Sequence, residues 1–361
     1  MGLLICDLHD AATAKERQGK CQLAIVHSPL LAIANVNIHA YSQARDWRLE
    51  KLQETAENAG FADKRTNKRS DGAFWCCWRE NGTGISILDD SGVVLKTADV
   101  NSSLAGEITA MDVVDCGTVA FGSSLGASGI FVLGNGSIQI SGPSLAGPVT
   151  DMWTRLVNRS WTTVAFCRTN CRLSITSLAT RVTRMVTLRH SSVPFRCLGA
   201  DVDHNVQTVA MHDGAQVYLW DLRYPDRSRG VRGLYLEEDE KIVSLKFATR
   251  QNSMLIATSR RLFVYDFGSC ADLVCDIREK AFYDFFDSDS KIVVEQEHLY
   301  GTHIACFSVD QTTARWVPLG YSDIRAQFGI RDIRSFYALR SRLLVFSGSD
   351  ACYQLATTVS S

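Results

Sequence analysis

Gly122-Ser123-Ser124-Leu125-Gly126 has the Gly-x-Ser-x-Gly spacing of a nucleophile elbow, in which a sharp strand-to-helix turn presents a serine hydroxyl beside an oxyanion-binding amide. The apolar stretch 118–121 supplies a strand before the serines. The chain beyond them does not supply the helix, because residues 129–140 read as a hairpin around Gly134-Asn135-Gly136. Ser123 and Ser124 are therefore expected in a loop between strands, and a hydrolase with a loop-borne active site is kept only as a remote alternative. Asp284, Asp287 and Asp289, near Glu295 and Glu297, invite calcium, but Ile292 occupies the position where the calcium-loop pattern needs glycine. A turn is expected there instead. His298 and His303 lie five apart, a spacing that puts two imidazoles on one face of neither a helix nor a strand. Cys167-x3-Cys171 and Cys270-x4-Cys275 lack the second pair that zinc requires, and phosphate-loop, dinucleotide and zincin signatures do not occur. The expectation is a chain that is not an enzyme, with no catalytic residues, no metal and no cofactor.

The elements around these residues must form a large core. The chain has 361 residues, of which 46% are hydrophobic and 21% charged, a balance that excludes a disordered chain. Lys and Arg total 38 against 39 Asp and Glu, so the net charge of -1 gives no overall field for nucleic acid or an anionic membrane. The 12 cysteines mostly lie in apolar stretches such as Phe74-Trp75-Cys76-Cys77-Trp78 and read as small core residues. Asn81, Asn101, Asn135 and Asn158 begin glycosylation-like sequons but read as turn asparagines. No apolar run reaches the roughly 18 to 20 residues of a membrane span, and the stretch from Leu3 to Cys6 is too short for a signal peptide. An intracellular protein, cytoplasmic or nuclear, is expected.

Short alternating apolar segments, punctuated by Gly, Asp, Asn and Ser, return in groups of about four with a period near 45 residues. Eight segments open such groups, at 22–29, 73–81, 108–116, 149–157, 195–205, 242–251, 282–290 and 333–341. A four-stranded sheet with two apolar faces cannot bury both alone, so the units should stack face to face. The pattern predicts an all-β propeller of seven or eight four-stranded blades, eight by count, spanning 1–361 as one domain. The N- and C-terminal strands should close it, with residues 3–8 completing the last blade.

The group 193–237 shows the unit best. Its second apolar segment, 206–211, turns at His212-Asp213-Gly214, and its third ends in Trp220-Asp221-Leu222-Arg223. This resembles a WD-repeat blade, and Tyr265-Asp266 is a decayed copy of the same ending. The resemblance implies a structural set of His190, Asp213 and Trp220, although His190 lacks the preceding glycine and Asp213 is one residue too far from Trp220. Trp-Asp-x-Arg also resembles the box of substrate receptors in Cullin-RING ubiquitin ligases, which implies that Asp221 and Arg223 face the ligase adaptor.

Residues 45–71 break the rhythm. Leu49, Leu52, Ala56 and Ala59 have helical spacing, followed by Lys64, Arg65, Lys68 and Arg69, so a charged insertion with a short helix and a basic, partner-facing loop is expected. Glu237 to Glu240 should be a solvated charge run. Arg223, Arg227, Arg229 and Arg232 form a basic cluster able to grip carboxylate or phosphate. Ser259-Arg260-Arg261-Leu262 departs from the phosphoinositide-binding motif of the family, Phe-Arg-Arg-Gly. The function expected is a protein-protein interaction scaffold or adaptor subunit of a multiprotein complex, with a nucleic-acid or ribonucleoprotein-associated propeller as the alternative.

Overall fold

The computed structural model describes residues 47–55, 67–68, 74–78, 84–89 and 94–99, and most of 107–359. These residues form seven four-stranded antiparallel sheets. In six of them the strands pair in the order of the chain, as in the fourth, Gly199–Val202, Thr208–His212, Val217–Asp221 and Ser228–Gly230. We call the sheets blades one to seven, in chain order from Asn67–Lys68. The seventh takes three strands from 333–359 and its fourth from Trp47–Thr55, which pairs antiparallel with Cys352–Val359.

Alternation explains why the blades stack. Within Ser160–Cys167 of blade three, Val164 and Phe166 join Val209, Met211 and Trp220 of blade four, while Ala165 and Cys167 join Ala120, Leu145 and Val149 on the side of blade two. The same division recurs in blade five, where Met254 and Ile256 pack toward blade four and Leu255 and Ala257 toward blade six. Each of these sheets therefore has two buried faces, and the core is a series of layers between consecutive blades.

Polar contacts between the first strands of the blades add direction to this packing. Asp112 of blade two accepts from the Thr154 N–H and hydroxyl of blade three at 2.6 and 2.8 Å. Asp201 of blade four accepts from the Phe247 N–H of blade five at 2.6 Å. Arg155 of blade three donates to the Val202 carbonyl at 3.0 Å and lies 3.4 Å from Asp201, and Lys246 of blade five reaches Asp284 of blade six at 2.7 Å. Acid and base thus alternate over five consecutive first strands.

Three expectations are revised. The described residues form seven blades, one of the two numbers expected. The segment 73–81 is a second strand, because its first strand, Asn67–Lys68, is only two residues long and carries no apolar alternation, and the last blade takes its fourth strand from 47–55 rather than 3–8. The segments 3–8 and 22–29 lie outside the described residues. Residues 47–55 form a strand and not a helix: a bulge at Leu52 shifts the alternation by one, so its spacing of three from Leu49 is compatible with a sheet. Asn158 is a turn residue as expected, and with Arg159 it has positive φ (49° and 63°) in the two-residue link between the first two strands of blade three.

Candidate functional site

The third strand of blade four, Val217–Asp221, is driven into place by Val217, Leu219 and Trp220, and Leu222 comes next as a buried plug. The chain then reverses through residues 223–227 into Ser228–Gly230. This turn is tied to blade three. The Arg184 guanidinium donates to the Leu222 carbonyl at 2.9 Å, the Arg189 N–H donates to the Pro225 carbonyl at 3.1 Å, and the Arg189 side chain lies 3.6 Å from Asp226. Within the turn, the N–H groups of Tyr224 and Arg227 donate to the carbonyls of Asp221 and Tyr224. The loop is thereby held in one shape by contacts to its backbone that span a blade boundary.

On this frame Arg223 grips Asp221. Its Nε donates at 2.9 and 3.1 Å to the two carboxylate oxygens and its Nη2 donates at 2.6 Å, while the Arg223 N–H adds a bond of 2.9 Å. The bonds from Arg223 hold the Asp221 carboxyl below the usual range. Both side chains are exposed, so the pair adds little to folding and is available to a partner. Tyr224, the next residue, is 62% exposed, with the Arg223 guanidinium 6.0 Å from its ring centre. A rigid loop with an outward Arg and Tyr is the composition that dominates binding energy at protein interfaces.

Trp220 and His190 are brought together and Asp213 is not. The Trp220 indole donates to the Arg189 carbonyl at 3.0 Å, and His190 packs by its ring against Phe195, Tyr218 and Trp220. Asp213 instead accepts from the N–H groups of Ala215 and Gln216 at its own turn. Arg227 and Arg229 are exposed beside the loop, with no side-chain ion-pair partner among the described residues. Lys64, Arg65 and Arg69 lie outside the described residues, and Lys68 lies in the strand Asn67–Lys68, paired with Trp75.

Other sequence readings fare variously. The Ser123 hydroxyl accepts from the Ala127 N–H and the Ser124 hydroxyl from the Glu107 N–H, and the chain continues directly into the strand Ser128–Val132, so the elbow geometry is missing. Asp284 and Glu295 are buried in strands rather than placed in a turn, and Asp287 and Asp289 lie outside the described residues. Among the described residues no cluster of three or more His, Cys, Asp or Glu could hold a metal.

The charge run at 237–240 conceals a group that sequence reasoning missed. Glu240 is buried, accepts from the Thr258 hydroxyl and from the Glu237 N–H at 2.9 Å, and binds the Arg261 guanidinium closely. Burial raises its pKa, but the bonds from Arg261, Thr258 and Glu237 outweigh burial and bring it to about 2. Arg261, in the segment that departs from the phosphoinositide-binding motif, serves this latch and stacks 4.9 Å from the Phe263 ring centre.

No family model matches the chain. A solved structure, the Myceliophteria thermophila Cps50 (Swd1) beta-propeller domain, superposes with a TM-score of 0.57 over 85% of this chain and 100% of that one, at 11% identity. This chain has the β-propeller fold. Protein YIG1 of Saccharomyces cerevisiae is 39% identical over 46 residues, a match that spans 13% of this chain and 10% of that protein. The propeller is built on 11% identity because each blade needs alternation and turn chemistry more than particular residues. No helix among the described residues is long and apolar enough to cross a membrane.

Proposed function

We propose that this propeller is a non-enzymatic scaffold that holds protein partners in a multiprotein complex, and that the loop 221–227 of blade four is one of its contact surfaces. The observation that carries this reading is the loop's preorganisation. Arg184 of blade three and Arg189 of the segment that enters blade four fix its backbone while Asp221, Arg223 and Tyr224 remain exposed. A partner that binds a fixed loop does not have to order it, which conserves affinity.

The finer reading is that Asp221 and Arg223 face the adaptor of a Cullin-RING ubiquitin ligase, as their place in a Trp-Asp-x-Arg ending suggests. It is supported by their location at the rim, outside the apolar layers between blades. Affinity purification of the full chain at moderate salt, with and without nuclease, tests the general reading. The scaffold retrieves a stable set of proteins that nuclease leaves intact. Dispersal by nuclease would replace it with the nucleic-acid alternative. Arg223→Ala tests the finer reading by loss of the ligase adaptor from that set.

A further inference from the structure

The outer strand of blade four, Ser228–Gly230, has one edge with no paired strand among the described residues. The phase of its hydrogen bonding is fixed by the Val231 N–H, which donates to the Val217 carbonyl at 2.9 Å. Antiparallel pairing alternates, so Arg229, opposite Leu219, turns its backbone groups inward, and Ser228 and Gly230 turn theirs outward. Arg229 and Gly230 are both exposed. The edge is therefore open to another backbone.

Charge gives the edge a polarity. Of the charged residues around it, Arg223 is matched by Asp221 and Arg189 by Asp226. Arg227, Arg229 and Arg232 are exposed and make no direct ion pair among the described residues, although Arg229 stands near enough to Asp221 to help lower its carboxyl. Arg227 closes the turn that leads into the strand and Arg229 lies within it, so the two guanidiniums stand at the start of the edge. The net charge of -1 for the whole chain makes this local excess a feature of the edge and not of the protein at large.

We propose that this edge binds an extended acidic peptide of a partner protein, which adds to blade four as a fifth strand and places carboxylates against Arg229 in the strand and Arg227 at its entry. Strand addition supplies affinity through the outward backbone groups of Ser228 and Gly230, and the guanidiniums supply selectivity for acidic side chains. A protein segment is favoured over nucleic acid because the outward N–H and C=O groups of Ser228 and Gly230 are matched by another strand's backbone, which a phosphate backbone does not offer. The inference rests on the scaffold reading and names the chemistry of one of its partners.

The test uses the purified full chain and a fluorescein-labelled peptide of alternating glutamate and valine, with an alternating lysine and valine peptide and a single-stranded RNA as competitors. The acidic peptide is expected to bind, and binding is expected to weaken at least about tenfold in R227E/R229E. Gly230→Pro removes an outward N–H without losing a ladder bond and should weaken binding while both arginines remain. Circular dichroism and thermal melting establish that both variants stay folded. Equal binding by wild type and R227E/R229E overturns the proposal, as does displacement by RNA but not by unlabelled acidic peptide; undiminished binding by Gly230→Pro overturns strand addition. A chain that retrieves protein partners from cells yet ignores the peptide defeats this inference alone, whereas a chain that retrieves none defeats the scaffold reading.

Discussion

Blades four and five fasten the segment that enters them by opposite chemistry. In blade four, Arg189 and His190 are held by an aromatic group: the Trp220 indole bonds the Arg189 carbonyl, and Phe195, Tyr218 and Trp220 surround the imidazole. In blade five, Glu240 plays this part through the Arg261 guanidinium and the Thr258 hydroxyl, with Tyr265 at the place of the tryptophan packed into the core. The fold requires that the entering segment be fastened; whether it is done by rings or by ions is free to drift. Fastening is also separate from recognition, because the exposed Asp221 and Arg223 begin just one residue beyond Trp220.

The comparison breaks most sharply at Trp220. Trp220→Ala removes one of the largest fully buried side chains and is expected to destabilise the chain by about 3–5 kcal/mol in urea unfolding. Glu240→Ala should cost about 3 kcal/mol, because it leaves the Arg261 guanidinium without its buried carboxylate. If the aromatic site were replaceable by solvent, the first loss would be near zero, and the claim that the two fastenings do one job would fail.

Glu240 and a second buried carboxylate, Asp112, respond oppositely to pH. Burial pushes Asp112 up to about 6, against Arg155 and the bonds from Thr154 and Val113, so the folded state holds this proton more tightly than the unfolded one. Its contribution to stability is then greatest below 3.8 and is lost as pH rises through about 6, and Asp112→Asn should remove that decline. Glu240 has the reverse sign: its contribution is full above 4.5 and is lost as pH falls through about 2, and Glu240→Gln should flatten the acid limb. Denaturant midpoints across pH check both slopes.

The smallest expected effect on stability is at the rim. Arg223→Ala should change unfolding by no more than about 0.5 kcal/mol, since it removes one exposed ion pair. The same change should diminish capture of the partner that contacts the loop.

Alternation made the sheets legible before the structure, because residues such as Val164 to Cys167 must divide between two buried faces. The two-residue strand Asn67–Lys68 has no such pattern and gives no sign of itself ahead of 73–81, and the bulge at Leu52 imitated a helical repeat. Trp220 announced its blade by type. Glu240 could not, since a buried carboxylate inside Glu237-Glu238-Asp239-Glu240 looks like its solvated neighbours until Thr258 and Arg261 are seen beside it. The rim pair was legible as a motif, but the restraint of its loop by Arg184 and Arg189, more than thirty residues back in the chain, leaves no local signal.

Exchanging the two rim residues, D221R/R223D, keeps an exposed ion pair while inverting the polarity offered to a partner. The measurement is the set of proteins retrieved by this variant and by wild type at matched thermal stability. An unchanged melting temperature with selective loss of a retrieved partner is the predicted result; full retention of the partner set would show that proteins do not bind this loop.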